Sequence, residues 1–338
     1  MSPQPFTQKS TVIITGVAGL LGNNLARYLL QRNYQVVGID DLSGGYLDLL
    51  PTHPDFFFFQ DDVSVLDSEF SKFRSLKVKC VFHFAAYAAE GLSPFIRKFN
   101  YTNNLIKSID VINFCLKTQT KLIFASSMAV YGNNTAPFRE SQTCDPIDPY
   151  GIAKFAVELD IKQAHSQFNL NYNIIRPHNV IGIYQNIFDR YRNVLGIFIR
   201  NVIDEVPMLI YGTGEQKRAF SDVKFMLPIF DKLITSHSNE TFNLGADREI
   251  KILDLAKKVL EIGKVFGFKP RIELAEKRHE VEDAFCDHSK AKEQLGYKDE
   301  TDIDAIISDM FEWSISQPKR KVKSIEYEYD NNIYDYWK

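Results

Sequence analysis

The chain has 338 residues, a net charge of -3 and an isoelectric point near 6.2; it is long enough to bury a full core, and no basic stripe or acidic tail points to nucleic acid or disorder. Its four cysteines, Cys80, Cys115, Cys144 and Cys286, make no C-x-x-C pair, so a disulfide framework and a metal site are both disfavoured and reduced thiols are expected. The polar first nine residues lack the apolar stretch of a secretory signal, and no run of 18 apolar residues marks a membrane span, so a soluble cytoplasmic protein is expected.

In chain order, Thr11-Val12-Ile13-Ile14 is a β-branched run that predicts a buried first strand ending at Thr15-Gly16. Gly16-Val17-Ala18-Gly19-Leu20-Leu21-Gly22 then reads G-x-x-G-x-x-G and leads into the helical spacing Leu21, Leu25, Tyr28, Leu29. Gly16 permits a tight turn, Gly19 lets backbone approach a pyrophosphate at a positive helix N-terminus, and Gly22 lets helix and strand pack closely. A second strand over 35–39 ends in Asp40-Asp41. Asp40 lies 24 residues beyond Gly16, where a carboxylate can accept both ribose hydroxyls of an adenosine. Its charge repels a 2′-phosphate, which favours NAD over NADP. Phe56-Phe57-Phe58-Phe59 predicts a third buried strand, and Asp62 beyond it can bond an adenine amino group or cap a helix near Ser64.

Residues 80–83 predict a fourth strand, with His83 in the core. The small residues after Phe84, Ala85 and Ala86, suit backbone contact with a pyrophosphate or ribose. A long helix is expected over 94–118, carrying Asn103 and Asn104, and a fifth strand over 121–124 with Ala125-Ser126-Ser127 at its end. Pro149-Tyr150-Gly151-Ile152-Ala153-Lys154 opens the next helix. Tyr150 and Lys154, four residues apart, share one helix face. A Lys ammonium one turn away favours a phenolate and makes a Tyr usable as a base near neutrality, although the pair alone also fits an ordinary amphipathic helix. A sixth strand over 172–176 leads into Pro177-His178-Asn179.

This alternation predicts an α/β fold, a doubly wound parallel sheet of Rossmann type, whose strand ends bring the glycine turn, Asp40, Ala85, Ser127 and Asn179 to one side. Beyond Gly182 a helix over 192–206, a strand over 208–211, the segment 212–218, a helix over 250–265, a strand over 271–274 and a helix over 301–316 suggest a smaller, discontinuous α/β lobe. The expected division is 8–182 mainly dinucleotide binding, 183–316 mainly substrate binding with elements returning to the first domain, and 317–338 a tail.

On these residues the chain resembles the extended short-chain dehydrogenases/reductases of the NAD-dependent epimerase/dehydratase family, and among them it is most similar to the UDP-glucose 4-epimerase type. The resemblance runs from about 11 to about 295 and rests on T-G-V-A-G-L-L-G at 15–22, S-S-M-A-V-Y-G at 126–132, P-Y-G-I-A-K at 149–154, R-P-H-N-V-I-G at 176–182 and G-T-G-E-Q-K-R at 212–218. It implies NAD contacts at Gly16, Gly19, Leu20, Leu21, Gly22, Asp40, Asp62 and Val63. It implies further ones at Phe84, Ala85, Ala86, Asn103, Ser126, Tyr150, Lys154, Pro177 and His178. Tyr150 resembles the base that takes the proton from the sugar 4-hydroxyl while C4 gives up hydride, and Ser127 the hydroxyl bonded to the same oxygen. Lys154 resembles the residue that binds nicotinamide-ribose hydroxyls and lowers the Tyr pKa. Asn179, and Arg218 with Lys277 or Arg278, resemble contacts to a substrate diphosphate, and Glu280 a contact to the nucleoside ribose. No nucleic acid or membrane partner is implied. Relatives often dimerise through two helices, for which Ile106, Ile109, Ile112, Phe155 and Leu159 could supply a face or simply be core.

The implied reaction oxidises C4 of a nucleotide-diphosphate sugar, rotates the 4-keto sugar and returns the hydride to its other face. Where the family's dehydratases carry an Asp-Glu pair and its decarboxylases a Glu, this chain has Met128-Ala129, which favours simple 4-epimerisation of a UDP-hexose or UDP-hexuronic acid. Ser221-Asp222-Val223-Lys224-Phe225 departs from the relatives' pattern, and Ala88 stands where Glc/Gal epimerases place a nucleotide-contacting Lys. Arg192 could face a uronate, or lie with Arg190 on a solvated helix face. Another NAD-dependent nucleotide-sugar oxidoreductase or epimerase is the alternative enzyme. A non-catalytic NAD-sensing protein is a third reading, against which the joint presence of Ser127, Tyr150 and Lys154 argues.

Overall fold

The first half of the chain runs β1 (Thr11–Thr15), α1 (Leu20–Leu30), β2 (Gln35–Asp40), β3 (Phe56–Gln60), α2 (Val65–Ser68), α3 (Phe70–Arg74), β4 (Val78–His83), α4 (Arg97–Tyr101), α5 (Lys107–Thr118), β5 (Lys121–Ala125), α6 (Pro149–Phe168) and β6 (Tyr172–Pro177). The second half runs β7 (Val180–Ile181), α7 (Val194–Ile203), β8 (Met208–Tyr211), β9 (Lys217–Ala219), β10 (Ser221–Asp222), α8 (Leu227–Thr235), β11 (Thr241–Leu244), β12 (Glu249–Lys251), α9 (Ile252–Val265), β13 (Ile272–Ala275), β14 (Asp283–Ala284), α10 (Ser289–Leu295) and α11 (Ile303–Ile315). This computed structural model describes residues 9–74, 76–189, 191, 193–277, 283–320, 325–331 and 333.

Seven strands form one parallel sheet in the order β11-β6-β5-β4-β1-β2-β3. Ile14 sits opposite Gly38 on one side and Phe82 on the other. Side chains alternate across a strand, so β1 feeds two cores. Val12 and Ile14 pack with Leu25 of α1 and Phe230 of α8, while Ile13 packs with Phe114 of α5 and Val157 of α6. A third core, with Phe198 of α7, Val259 of α9 and Phe311 of α11, builds the smaller lobe. The expected Rossmann-type sheet is therefore present, and β11 extends it after the chain has already entered the lobe.

Two expectations change. The Phe run is an edge strand: Phe56 and Phe58 lean on one core, Phe57 and Phe59 on the other, and all four are only half-buried because nothing pairs beyond them. The continuous helix expected over 94–118 is interrupted. A 3₁₀ turn over Glu90–Phe95 precedes α4, and a π turn over Thr102–Ile106 separates α4 from α5. Pro94 cannot donate in a longer helix, and the π turn sends Asn104 inward, where it accepts from the Tyr87 N–H at 2.7 Å and donates to the Tyr87 carbonyl at 3.1 Å. Ile112 is core at 2 % exposure, whereas Ile106 and Leu159 are 60 % and 49 % exposed. No helix among the described residues is long and apolar enough to cross a membrane, and no cluster there could hold a metal ion.

Candidate active site

The C-terminal ends of β1, β2, β4, β5 and β6 open on a cavity of about 880 Å³. At β1 the backbone turns at Gly16, φ 70°, whose N–H donates to Ile39 O at 2.8 Å. A Cβ on Gly16 would lie 2.6 Å from Ala85 N, so only glycine admits this approach of β1 to β4. Helix α1 starts at Gly19 with no side-chain cap and no acidic residue in its first turn. Gly19, Leu20, Leu21 and Gly22 line the cavity, so the helix turns uncapped N–H groups and its positive end toward it. At the end of β2, Asp40 accepts from Ala18 N at 2.9 Å and Leu42 N at 2.8 Å, which fixes its carboxylate on the cavity wall. These residues fit a dinucleotide: a phosphate cradle at one strand end, a ribose acceptor at the next.

Farther along that wall, Asp62 and Asn103 are joined by Lys107, which pairs with Asp62 at 2.5 Å and donates to Asn103 Oδ1 at 2.9 Å. Lys107 was not anticipated; it lies one residue past a π turn whose phase the sequence does not reveal. Val63, Phe84, Ala85, Ala86, Ser126 and Pro177 also reach the cavity. His83 stays in the core as expected. Its ring bonds Thr15 at 2.8 Å and Ser108 at 2.9 Å, and burial pushes its pKa down to about 3, so it is neutral.

At the far end, α6 begins with Asp148 as N-cap, accepting from Gly151 N at 2.9 Å, and Pro149 in the first turn. This places Tyr150 and Lys154 on one buried face, with Lys154 Nζ 5.9 Å from the Tyr150 ring centre. Lys154 donates to Ala125 O at 2.7 Å; burial pushes its pKa down to about 7, against the attraction of Glu158. Ser127 lines the same end and its Oγ accepts from Ala129 N at 3.1 Å. Two side chains not foreseen from the sequence hold the start of α6: Ser93 Oγ accepts the Tyr150 N–H at 3.2 Å, and Asn100 donates to Pro149 O at 2.8 Å. Two carboxylates outside the Met128-Ala129 segment, Glu90 and Asp148, also line the cavity. Burial pushes the Asp148 carboxyl up, but its bond to Gly151 commits it to capping α6.

On the lobe side, Asn179, at φ 40°, and Arg218 line the cavity. The Asn179 amide nitrogen is buried and lacks a protein partner, as a ligand-binding donor would. The His178 side chain is not part of the cavity wall. Its imidazole is 2 % exposed and stacks on His288, ring centres 5.0 Å apart, so its side chain faces away from the cavity. Gly245 makes the room: a Cβ there would lie 2.0 Å from His178 Cε1. Lys277 is also displaced. It is exposed, its stem packs over Gly212, and it is not part of the cavity wall. Arg278, Glu280, Arg190 and Arg192 lie outside the described residues.

Sheet topology, glycine turn and helix start define a dinucleotide-binding enzyme of the Rossmann type. The model of the NAD dependent epimerase/dehydratase family matches residues 12–245, and the chain belongs to that family, whose cofactor is NAD. It is 28 % identical over 309 residues to a putative UDP-glucose 4-epimerase of Methanocaldococcus jannaschii, covering 89 % of this chain and 97 % of that one. It is 26 % identical over 318 residues to a UDP-glucuronate 4-epimerase of Thermodesulfobacterium geofontis, covering 89 % and 95 %. Among solved structures, the UDP-glucose 4-epimerase of Thermotoga maritima with UDP-glucose superposes with a TM-score of 0.84 at 26 % identity, over 90 % of this chain and 98 % of that one.

Proposed function

We propose that this protein is a nucleotide-sugar 4-epimerase acting on a UDP-hexose or UDP-hexuronic acid. The observation that carries the reading is the buried Tyr150–Lys154 face beside Ser127, in the same cavity as the helix-start phosphate cradle. NAD, when bound, supplies the hydride acceptor and donor. Gly16, Gly19, Leu20, Leu21 and Gly22 would hold its pyrophosphate, and Asp40 its adenosine ribose. Tyr150 takes the proton from the sugar O4 and returns it, while Ser127 Oγ holds that oxygen. The Lys154 ammonium, buried one turn away, favours the phenolate. Asn179 and Arg218 hold the diphosphate while the 4-keto sugar turns over between proton transfers. With NAD bound, the hydride taken from C4 would be restored to C4, leaving no net oxidation. Met128 and Ala129 offer no acid to expel a C6 hydroxyl, which favours epimerisation over dehydration.

We further propose a cytoplasmic homodimer, supported by the free thiols and by the exposed Ile106, Ile152 and Leu159 on neighbouring helical segments. The deciding experiment incubates purified protein and NAD with UDP-hexoses and UDP-hexuronic acids and follows C4 epimers by nuclear magnetic resonance. Interconversion lost in Tyr150→Phe supports the reading. Turnover of none of them, or activity surviving Tyr150→Phe, overturns it.

A further inference from the structure

Beyond α11, Arg320, Tyr327, Glu328 and Ile333 are tied back to the rest of the chain. Arg320 grips Asp48 with two nitrogens, at 2.9 and 2.6 Å, and its guanidinium lies 3.9 Å from the centre of the Tyr46 ring. Tyr46 in turn meets Asn186, whose amide donates to Gly44 O at 2.9 Å; Gly44 and Asn186 both line the cavity. This first anchor therefore sits on the loop that follows Asp40 at the end of β2.

The second anchor sits on the segment around α4. Glu328 N donates to Phe95 O at 2.9 Å, and the Glu328 carboxylate accepts the Lys98 and Phe99 N–H groups, each at 2.7 Å. Tyr327 and Tyr191 share a hydroxyl hydrogen bond at 2.5 Å. Ile333, 5 % exposed, is buried in a cluster with Tyr87, Leu92 and Ile96. Phe95, Phe99 and Tyr191 line the cavity. The segment gripped by Glu328 is also the one whose Ser93 and Asn100 bond the first residues of α6. A backbone amide bond to a carboxylate is charge-assisted and directional, so Glu328 fixes the position of that segment and does not merely cover it.

We propose that the described residues beyond α11 strap the active site: Arg320 holds the loop after β2, and Tyr327 and Glu328 hold the wall that carries Phe95, Phe99 and Tyr191, so that nucleotide sugar binds against a wall these residues keep in place. Glu328 and Tyr327 are positioning residues; neither borders the cavity. The inference rests on the reading of this cavity as the site for NAD and a nucleotide sugar.

The test uses the full-length protein, with Glu328→Ala, the milder Glu328→Gln, Tyr327→Phe, and Glu326→Ala as an exposed control on the same stretch. Steady-state kinetics are measured with whichever sugar nucleotide the unmodified protein turns over. Amide hydrogen exchange of 90–101 and 325–331 is followed with and without NAD and UDP. Glu328→Ala is expected to lower kcat/KM about tenfold, mainly through KM, with Glu328→Gln in between and Glu326→Ala unchanged. In the unmodified protein the two ligands together are expected to slow exchange in both segments at once, and Glu328→Ala to uncouple them. Unchanged KM in Glu328→Ala despite faster exchange at 98–99 overturns the strap. If no sugar nucleotide is turned over, the epimerase reading fails and exchange alone decides: a tail that slows with ligand supports the strap, and one that ignores both ligands overturns it.

Discussion

Glu158 and Arg176 form a buried ion pair: the Glu158 carboxylate, fully buried on α6, receives Arg176 Nε at 2.8 Å and Nη2 at 2.5 Å from the end of β6. Arg176 also lies over the Tyr131 ring, 4.7 Å from its centre, in the segment that follows Ser127. The pair thus ties the helix of Tyr150 and Lys154 to the strand that ends before Asn179. Removing one partner of a buried pair leaves an uncompensated charge. Glu158→Gln is expected to lower unfolding free energy by about 3–5 kcal/mol in urea titration. Glu158→Leu with Arg176→Met is expected to recover most of it; a double variant as unstable as the single one contradicts this account.

Tyr150→Phe keeps the ring that α6 buries and removes only the hydroxyl. Loss of a positioned acid–base group costs about 10²–10⁴ in rate. The variant is expected to lose that much kcat with its thermal midpoint and NAD content preserved, read by calorimetry and by absorbance of released cofactor.

Lys154 carries a pH signature of its own. Burial holds its folded pKa near 7, below its ordinary value of 10.5. Below about pH 7 both folded and unfolded chains hold the proton, and the cost of burying the charge is fully felt. Between there and 10.5 the unfolded chain binds more protons, so this group's contribution to stability rises with pH. In protein stripped of NAD, Lys154→Met is expected to be more stable than the parent at pH 6, with the gap closing toward pH 10. Parallel stability curves across that window contradict the burial of an ionisable Lys154.

Gly245 and His178 invite a double-mutant cycle. Gly245→Ala forces a methyl into the imidazole and is expected to cost about 1–3 kcal/mol. His178→Ala vacates that space, so the double variant should be clearly more stable than the sum of the single effects. Because the His178 side chain points away from the cavity, His178→Ala should leave NAD affinity within about threefold. A larger loss restores His178 as a cofactor contact.

Much of this site is legible in the sequence because its signals are local. Gly16, Gly19 and Gly22 mark a strand–helix turn wherever they fall between the right elements, and the Tyr150–Lys154 spacing needs only a helix. Asp148-Pro149 is a helix-start signature that could have been read directly. Leu227, Ile229, Phe230, Leu233 and Ile234 already follow helical spacing, so α8 was also available. What could not be read depends on distant packing. Ser93 and Asn100 matter only because α4 comes to rest against α6. The direction of His178 is set by a glycine 67 positions later. Thr241-Phe242-Asn243-Leu244 is too short to announce that it leaves the lobe and rejoins the sheet beside β6.

The π turn over Thr102–Ile106 carries a consequence for chain length. It fits one more residue into a turn than an α-helix does, and this lets Asn103 reach the cavity while Asn104 meets Tyr87. Deleting a single residue within it would let α4 and α5 fuse into one regular helix, a locally favourable outcome. It would also swing everything on one side by about 100° relative to the other. Asn103 or Lys107 would then leave the cavity. The residue count of this turn, more than its composition, is what keeps Asn103 and Lys107 on the cavity wall.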